Sequence, residues 1–168
     1  MTSPVRHDER RVCLFELAGH TFGLALTSVA EIVPMAALAR PPSTPSLLEG
    51  FLNLRGASLP VVRTGPLLGL RQDPLALHTP LVVVRTEGAP LALLVNRVLG
   101  VATAETALLP IAESDSFNGC VEGRLTAGGY DVNLLSLKRL LLEKEQQVIA
   151  EFLAVETRRL GQLVAQPS

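Results

Sequence analysis

The sequence predicts an all-β fold with short helices, followed by one long helix at the C-terminus. Three observations predict it. Short apolar runs, several of them alternating with period 2, recur up to Leu135. Turn residues separate them, with 13 glycines and 12 prolines among 168 residues. From Ser136 to Val164 there is no proline and a single glycine, Gly161, while Leu, Glu, Lys, Gln and Arg dominate. Period 2 puts alternate side chains on one buried face of a strand. The last stretch is rich in strong helix formers. Many short strands spaced by turn signals suggest β-barrels rather than an α/β sheet.

The elements follow in order. Residues 1–10 are polar and read as a flexible start. Val12 to Leu17 is a strand, and Gly19-His20 turns the chain. Phe22, Leu24 and Leu26 alternate with Thr21, Gly23 and Ala25, which completes a hairpin. Ser28-Val29-Ala30-Glu31 has the spacing of a capping box and predicts a short helix, limited by Pro34. Arg40 to Glu49 carries Pro41, Pro42 and Pro45, a turn-rich connection with one helical turn at Ser46 to Glu49. Phe51 to Arg55 and Ser58 to Arg63 are strands around Gly56, and Gly65 to Leu70 is a helical turn.

Asp73 to Pro80 reads as a loop, with a junction between two subdomains near 71–80. Leu81 to Thr86 is a β-branched strand, ended by Glu87-Gly88. Leu91 to Val95 and Val98 to Thr103 form one long strand or two bent ones. Leu108 to Ile111, Cys120 to Thr126 and Tyr130 to Leu135 follow, the last two joined by Gly128-Gly129. Both glycines tolerate positive φ, which a tight hairpin demands. In the terminal helix, Ile149, Phe152, Leu153, Leu160, Leu163 and Val164 share roughly one face, interrupted by Glu156. Residues 143–168 form a helical extension that packs on its own body.

Composition narrows the function. Hydrophobic residues make up 48% of the chain and charged residues 18%, against about 25% in an average soluble protein. Such a chain buries a core and has apolar surface left for protein contacts. A net charge of -1 provides no basic stripe to displace counterions from nucleic acid. With 4% aromatic residues and no tryptophan, a base-stacking platform is also disfavoured. No run reaches the roughly 18 apolar residues of a membrane span, and residues 1–11 lack the apolar core of a signal peptide. Cys13 and Cys120 are far apart without metal or redox spacing, and read as reduced, partly buried thiols.

Signs of catalysis are missing from the sequence. His7, His20 and His78 fall in the start, a turn and a loop, away from any nucleophile pattern. There is no P-loop or dinucleotide fingerprint. Gly119 to Gly129 lies between strands and reads as hairpin glycine. Glu113 and Asp115 sit in a polar loop and solvate it. Neither a catalytic residue nor a metal or cofactor site is expected.

One segment is more specific: Glu49-Gly50-Phe51-Leu52-Asn53-Leu54-Arg55-Gly56-Ala57-Ser58-Leu59-Pro60-Val61-Val62. It resembles the CheW family pattern of glycine, an apolar residue, any residue, Asn-Leu-Arg-Gly, then apolar-Pro-apolar. Val29-Ala30-Glu31-Ile32 is similar to the family's Val-x-Glu-Ile, and Leu93-Leu94-Val95-Asn96-Arg97-Val98 to its apolar-apolar-Val-Asp-x-Val strand. The likeness covers about 11–142. It implies two SH3-like five-stranded β-barrel subdomains sharing an apolar seam, with a C-terminal α-helix. It also implies a cytoplasmic, non-enzymatic adaptor without cofactor. Such an adaptor links the cytoplasmic tips of chemoreceptors to the regulatory domain of a CheA-type histidine kinase, recruited to receptor arrays at the inner membrane. A module of a CheV-type or other coupling protein is the alternative. The opening Met1 and the lack of a receiver or kinase segment favour a standalone adaptor.

The resemblance places partner contacts at Val29, Glu31, Ile32, Asn53, Arg55 and Gly56. Arg55 stands near a strand end, where a guanidinium makes several directed bonds to carboxylates or carbonyls. Asn53 is expected to order the turn, and Gly56 to supply a backbone conformation closed to other residues. On the predicted helix, Val29 and Ile32 share a face. Leu54 and Val61 are core candidates. Three positions depart from the pattern: Arg63-Thr64 replaces a common Asp-Leu, Asn96 a common Asp, and Ser136 a frequent acidic residue. Lost carboxylates at Arg63 and Asn96 would alter partner choice. They point to a specialised cluster serving motility, pili or another output.

Overall fold

Strands β1 (Arg11–Leu17) and β2 (His20–Ala25) form the first hairpin through Ala18 and Gly19, both at positive φ. A computed structural model describes residues 10–71, 74, 76 and 78–165, with side chains described to 162. The expected flexibility of residues 1–9, and His7 with it, lies outside the described residues. After a 3-10 turn at Leu26–Ser28 come β3 (Val29–Pro34), β4 (Leu48–Leu54), β5 (Ala57–Arg63) and the one-turn α1 (Thr64–Leu67). Then follow β6 (Pro80–Val84), β7 (Leu91–Leu94), β8 (Arg97–Thr103), β9 (Val121–Ala127), β10 (Tyr130–Leu135) and α2 (Leu137–Ala165).

The strands make two five-stranded sheets, in the orders β8-β1-β2-β10-β9 and β3-β6-β7-β5-β4. The fold class is the one the sequence predicts: mostly β, with short helices and a long terminal helix. The two sheets are consistent with SH3-like units. Their division along the chain differs from the expected one. Residues 71–80 connect α1 to β6 inside one sheet. The chain crosses between sheets at Leu26–Ser28 and again at Val95-Asn96, so the second sheet is inserted between β2 and β8. The crossing at Val95-Asn96 also splits the apolar run from Leu91 to Thr103 into β7 and β8.

Alternation explains the core. Val61, Leu81, Val83, Ala92 and Leu94 point into one cluster with Leu52 and Leu59. Their neighbours Val62, Val82, Val84, Leu91 and Leu93 point the other way and meet Cys13, Phe15, Leu17, Phe22 and Leu24 of the first sheet. A third cluster, Val12, Leu14, Leu125, Ala127 and Val132, belongs to the first sheet alone. Each sheet thus has its own interior, and an apolar seam joins them. Strands buried on both faces read as continuous apolar runs. Leu140 of α2 is buried in the seam as well.

Four further expectations are corrected. The segment opening at Ser28 is strand, because β-branched Val29, Ile32 and Val33 pair along the edge of β6. A ladder satisfies more backbone groups than a single helical turn. Leu48 already belongs to β4, its amide closing a turn onto Pro45 O at 3.0 Å, so no helical turn forms at 46–49. Leu108 to Ile111 is no strand; Leu109 alone bridges Arg124. Cys13 and Cys120 are fully buried rather than partly so.

Candidate docking surface

The Arg55-Gly56 turn joins β4 to β5, with φ of 50° and 86° at its two central residues. Successive positive φ values are those of a primed turn, whose twist matches the flanking strands. Asn53 Oδ1 accepts the Gly56 amide at 3.0 Å, which holds the turn shut. The Arg55 side chain is therefore presented outward and is 71% exposed. Its guanidinium donates to Glu31 Oε1 at 2.5 Å, and the Glu31 side chain is 34% exposed. Glu31 lies on β3 and Arg55 just beyond β4, the two outer strands of their sheet. The sheet must curl for them to meet. Closure continues where Ala39 and Phe51 exchange backbone hydrogen bonds at 2.9 and 2.7 Å. Arg40 adds donations to Leu48 O and Glu49 O.

The structure brings Glu31, Asn53, Arg55 and Gly56 into one exposed corner. Val29 and Ile32 do not share a face as they would on a helix. In β3, Val29 is buried in the seam and Ile32 is exposed. Only Ile32 of the two offers surface. Leu54 and Val61 pack in the second sheet's interior.

Arg63 and Asn96 stand apart from this corner, and both are engaged within the chain. Arg63 Nε donates to Glu49 Oε2 at 2.6 Å across the base of the β4–β5 hairpin. The placement of Glu49 and Arg63 symmetrically about Gly56 is the signal that could have found this pair. Asn96 Oδ1 accepts the amide of Ala18 at 2.8 Å, tying the sheet crossing to the first hairpin. Ser136 Oγ accepts the Arg139 amide at 3.3 Å, as an N-cap of α2.

The other candidates are accounted for locally. His20 packs edge-on to Phe117 at 5.2 Å between ring centres and also meets Phe22. His78 is exposed in its loop, and Glu113 and Asp115 are exposed on a 3-10 turn. Burial pushes the Cys13 thiol upward and that of Cys120 up to about 11, the latter aided by Glu143 and opposed by Arg139. Neither thiol is primed as a nucleophile. Among the described residues, no group of three or more His, Cys, Asp or Glu side chains is placed to hold a metal ion. No described helix is long and apolar enough to cross a membrane.

A two-sheet β body with an outward arginine on a rigid turn defines a protein whose prominent surface groups are suited to contact. A family model described as CheW-like domain matches residues 11–145. The chain belongs to that family. It is 26% identical over 136 residues to the chemotaxis protein CheW of Thermotoga maritima, covering 80% of this chain and 89% of the relative. The probable chemotaxis protein CheW of Rhizobium etli is 27% identical over 143 residues, covering 83% and 92%. Among solved structures, the scaffolding protein TtCheW from Thermoanaerobacter tengcongensis matches with a TM-score of 0.68 and 25% identity. That match covers 79% of this chain and 92% of the other.

Proposed function

We propose that this chain is a non-enzymatic adaptor that couples chemoreceptor tips to the regulatory domain of a CheA-type histidine kinase. The observation that carries the reading is the Arg55 corner, on a body of the CheW-like family. An exposed guanidinium on a turn held by Asn53 loses little entropy on binding a receptor helix. Glu31, Ile32, Asn53 and Gly56 complete the contact, and Val29 supports it from beneath. Linkage is the mechanism: one body bound to both partners lets receptor conformation bias the kinase. The work is done in the cytoplasm, at receptor arrays on the inner membrane, without a cofactor.

The reading extends to a specialised cluster for motility, pili or another output. Arg63 and Asn96 stand where carboxylates are common in the family. Both are held within the chain, so their effect is removed negative charge rather than new contact.

The test is binding of the purified chain to a receptor cytoplasmic fragment and, separately, to the kinase regulatory domain. Arg55→Ala should weaken receptor binding about tenfold or more, the loss expected for a charged hydrogen-bonding group. Its circular dichroism spectrum should remain native. Undiminished receptor binding would remove Arg55 from the interface; no binding to either partner would sink the adaptor reading.

A further inference from the structure

Helix α2 has two faces, and the body covers one of them. Leu140 is buried in the seam, Leu141 and Val148 pack against it, and Gln147 Nε2 donates to Pro66 O at 3.0 Å. Glu151 accepts the Ser46 amide and hydroxyl. On the opposite side, Leu142, Ile149, Leu153 and Leu160 lie in one row, with Phe152 on its flank. These five are 55% to 62% exposed. The row is the apolar stripe read from the sequence, and it is not the face that packs. Side chains of Leu163 and Val164 lie outside the described residues.

The row has a symmetry of its own. Its members follow at intervals of seven, four and seven residues, a pattern that reads the same in both directions about Glu151. Leu142 and Leu160 are therefore about five helical turns, or about 27 Å, apart on one line. An isologous two-fold contact needs such self-complementarity. Laid antiparallel on a second copy, Leu142 meets Leu160 and Ile149 meets Leu153. A two-fold axis across the pair brings like flanks together. Phe152 then lies beside its own counterpart near the centre. On the same flank, Arg159 reaches Glu145 of the second copy while holding Glu156 of its own helix at 3.4 Å. The other flank carries uncharged Gln146, Ala150 and Thr157. Charge and apolar pattern both suit a copy of this helix.

We propose that the outer face of α2 is a homodimer interface, formed by antiparallel pairing with α2 of a second copy. One helix row of this length falls at the small end of specific interfaces, which bury roughly 800 Å² per partner. The association is accordingly weak and reversible. It leaves the Arg55 corner free and is independent of the proposed adaptor role.

Sedimentation of the full chain from low to high micromolar concentration tests it. Mean mass should climb from 17.9 kDa toward twice that value. Leu153→Glu should hold it at one chain throughout, with a native circular dichroism spectrum. Arg159→Glu should weaken pairing at least several-fold, and Glu145→Arg added to it should restore pairing. In oxidising buffer, Leu142→Cys with Leu160→Cys should close disulfide-linked dimers that neither single variant forms. The native thiols are buried and do not interfere. A wild-type chain that stays monomeric overturns the proposal, as does a Leu153→Glu chain that still pairs. Linked dimers from either single variant would overturn the antiparallel arrangement. Should the chain stay monomeric while Leu153→Glu abolishes receptor or kinase binding, the face belongs to that partner and the proposal fails.

Discussion

Glu31 and Arg55 stand on the two outer strands of one five-stranded sheet, yet their side chains meet at 2.5 Å. The contact records the closure of that sheet upon itself. It also means that the arginine proposed to meet a partner is already satisfied at home. A receptor carboxylate would have to share or displace Glu31, which tunes affinity as well as orientation.

The energetic weight of the pair is small. With the Arg55 side chain 71% exposed, screening by water limits the interaction. Glu31→Gln should cost no more than about 0.5 kcal/mol. Thermal melting should drop by only about 1–2 °C. The exchange variant, Glu31→Arg with Arg55→Glu, should keep that stability and still lose receptor binding. Full binding by the exchange variant would show that Arg55 serves closure alone.

Backbone strain makes a second prediction at the same turn. Arg55 holds φ of 50°, a region that costs a non-glycine residue roughly 1 kcal/mol or more. Arg55→Gly relieves that cost and gives back a similar amount in unfolded-chain entropy, so stability should change by less than about 0.5 kcal/mol. Gly56→Ala should destabilise by about 1 kcal/mol, measured in urea. The new methyl would meet nothing within 4 Å, so this cost is conformational, not steric.

The hairpins were legible because each turn is written locally. Gly128-Gly129 and Gly56 mark their turns in the sequence, and both hairpins formed there. Sheet membership was not legible. β8 joins β1 with Arg11 opposite Thr103, a pairing that no local pattern announces. The boundary expected near 71–80 followed composition, while the real crossings occur in a 3-10 turn and at Val95-Asn96. The capping-box spacing at Ser28 competed with β-branched side chains, and the free edge of β6 decided the outcome. Arg55 could be singled out from its motif. Its bond to Glu31 could not, because strands at opposite edges become neighbours only after closure.

Crowding beneath the first sheet can be tested at Gly23. A Cβ there would lie 2.5 Å from Val12 Cγ1 and 2.7 Å from Val132 Cγ1. Both valines are buried in the first sheet's interior, so neither can swing into solvent. Gly23→Ala should therefore cost about 1–3 kcal/mol in denaturant unfolding, the range for overpacking a core. A neutral effect would show that this interior is looser than its contacts indicate.

Alkaline titration reads out Cys120. Its thiol ionises at about 11 in the fold, against an ordinary 9.0. Between these values the unfolded chain has released the proton and the folded chain retains it. Unfolded molecules bind fewer protons there, so stability falls as pH rises. Below pH 9 the contribution is complete. From pH 9 to 11 the loss should reach the order of 2 kcal/mol. Cys13 is raised in the same direction and adds to the slope. Melting temperature against pH should therefore fall more steeply for the wild type than for Cys120→Ala, although the variant starts lower through its cavity. Parallel slopes would mean that Cys120 does not ionise on unfolding in this range.

Two truncations separate the halves of α2. The stretch up to Glu151 makes every body contact named above: Leu140 and Val148 in the seam, Gln147 on Pro66, and Glu151 on Ser46. Beyond it, Phe152, Leu153 and Leu160 face solvent in a single copy. Ending the chain after Ala154 should leave the melting temperature within about 2 °C when measured at a concentration where the chain is monomeric. Ending it after Lys144 removes Val148 from the seam and takes away the bonds that Glu151 and Gln147 make to Ser46 and Pro66. Loss of the half-buried aliphatic group and the two polar contacts should cost roughly 2–3 kcal/mol, or about 4–12 °C. Equal melting of the two truncations would show that residues 145–154 contribute nothing to the body. Any role of theirs would then lie in the outer face alone, where the dimer variants measure it directly.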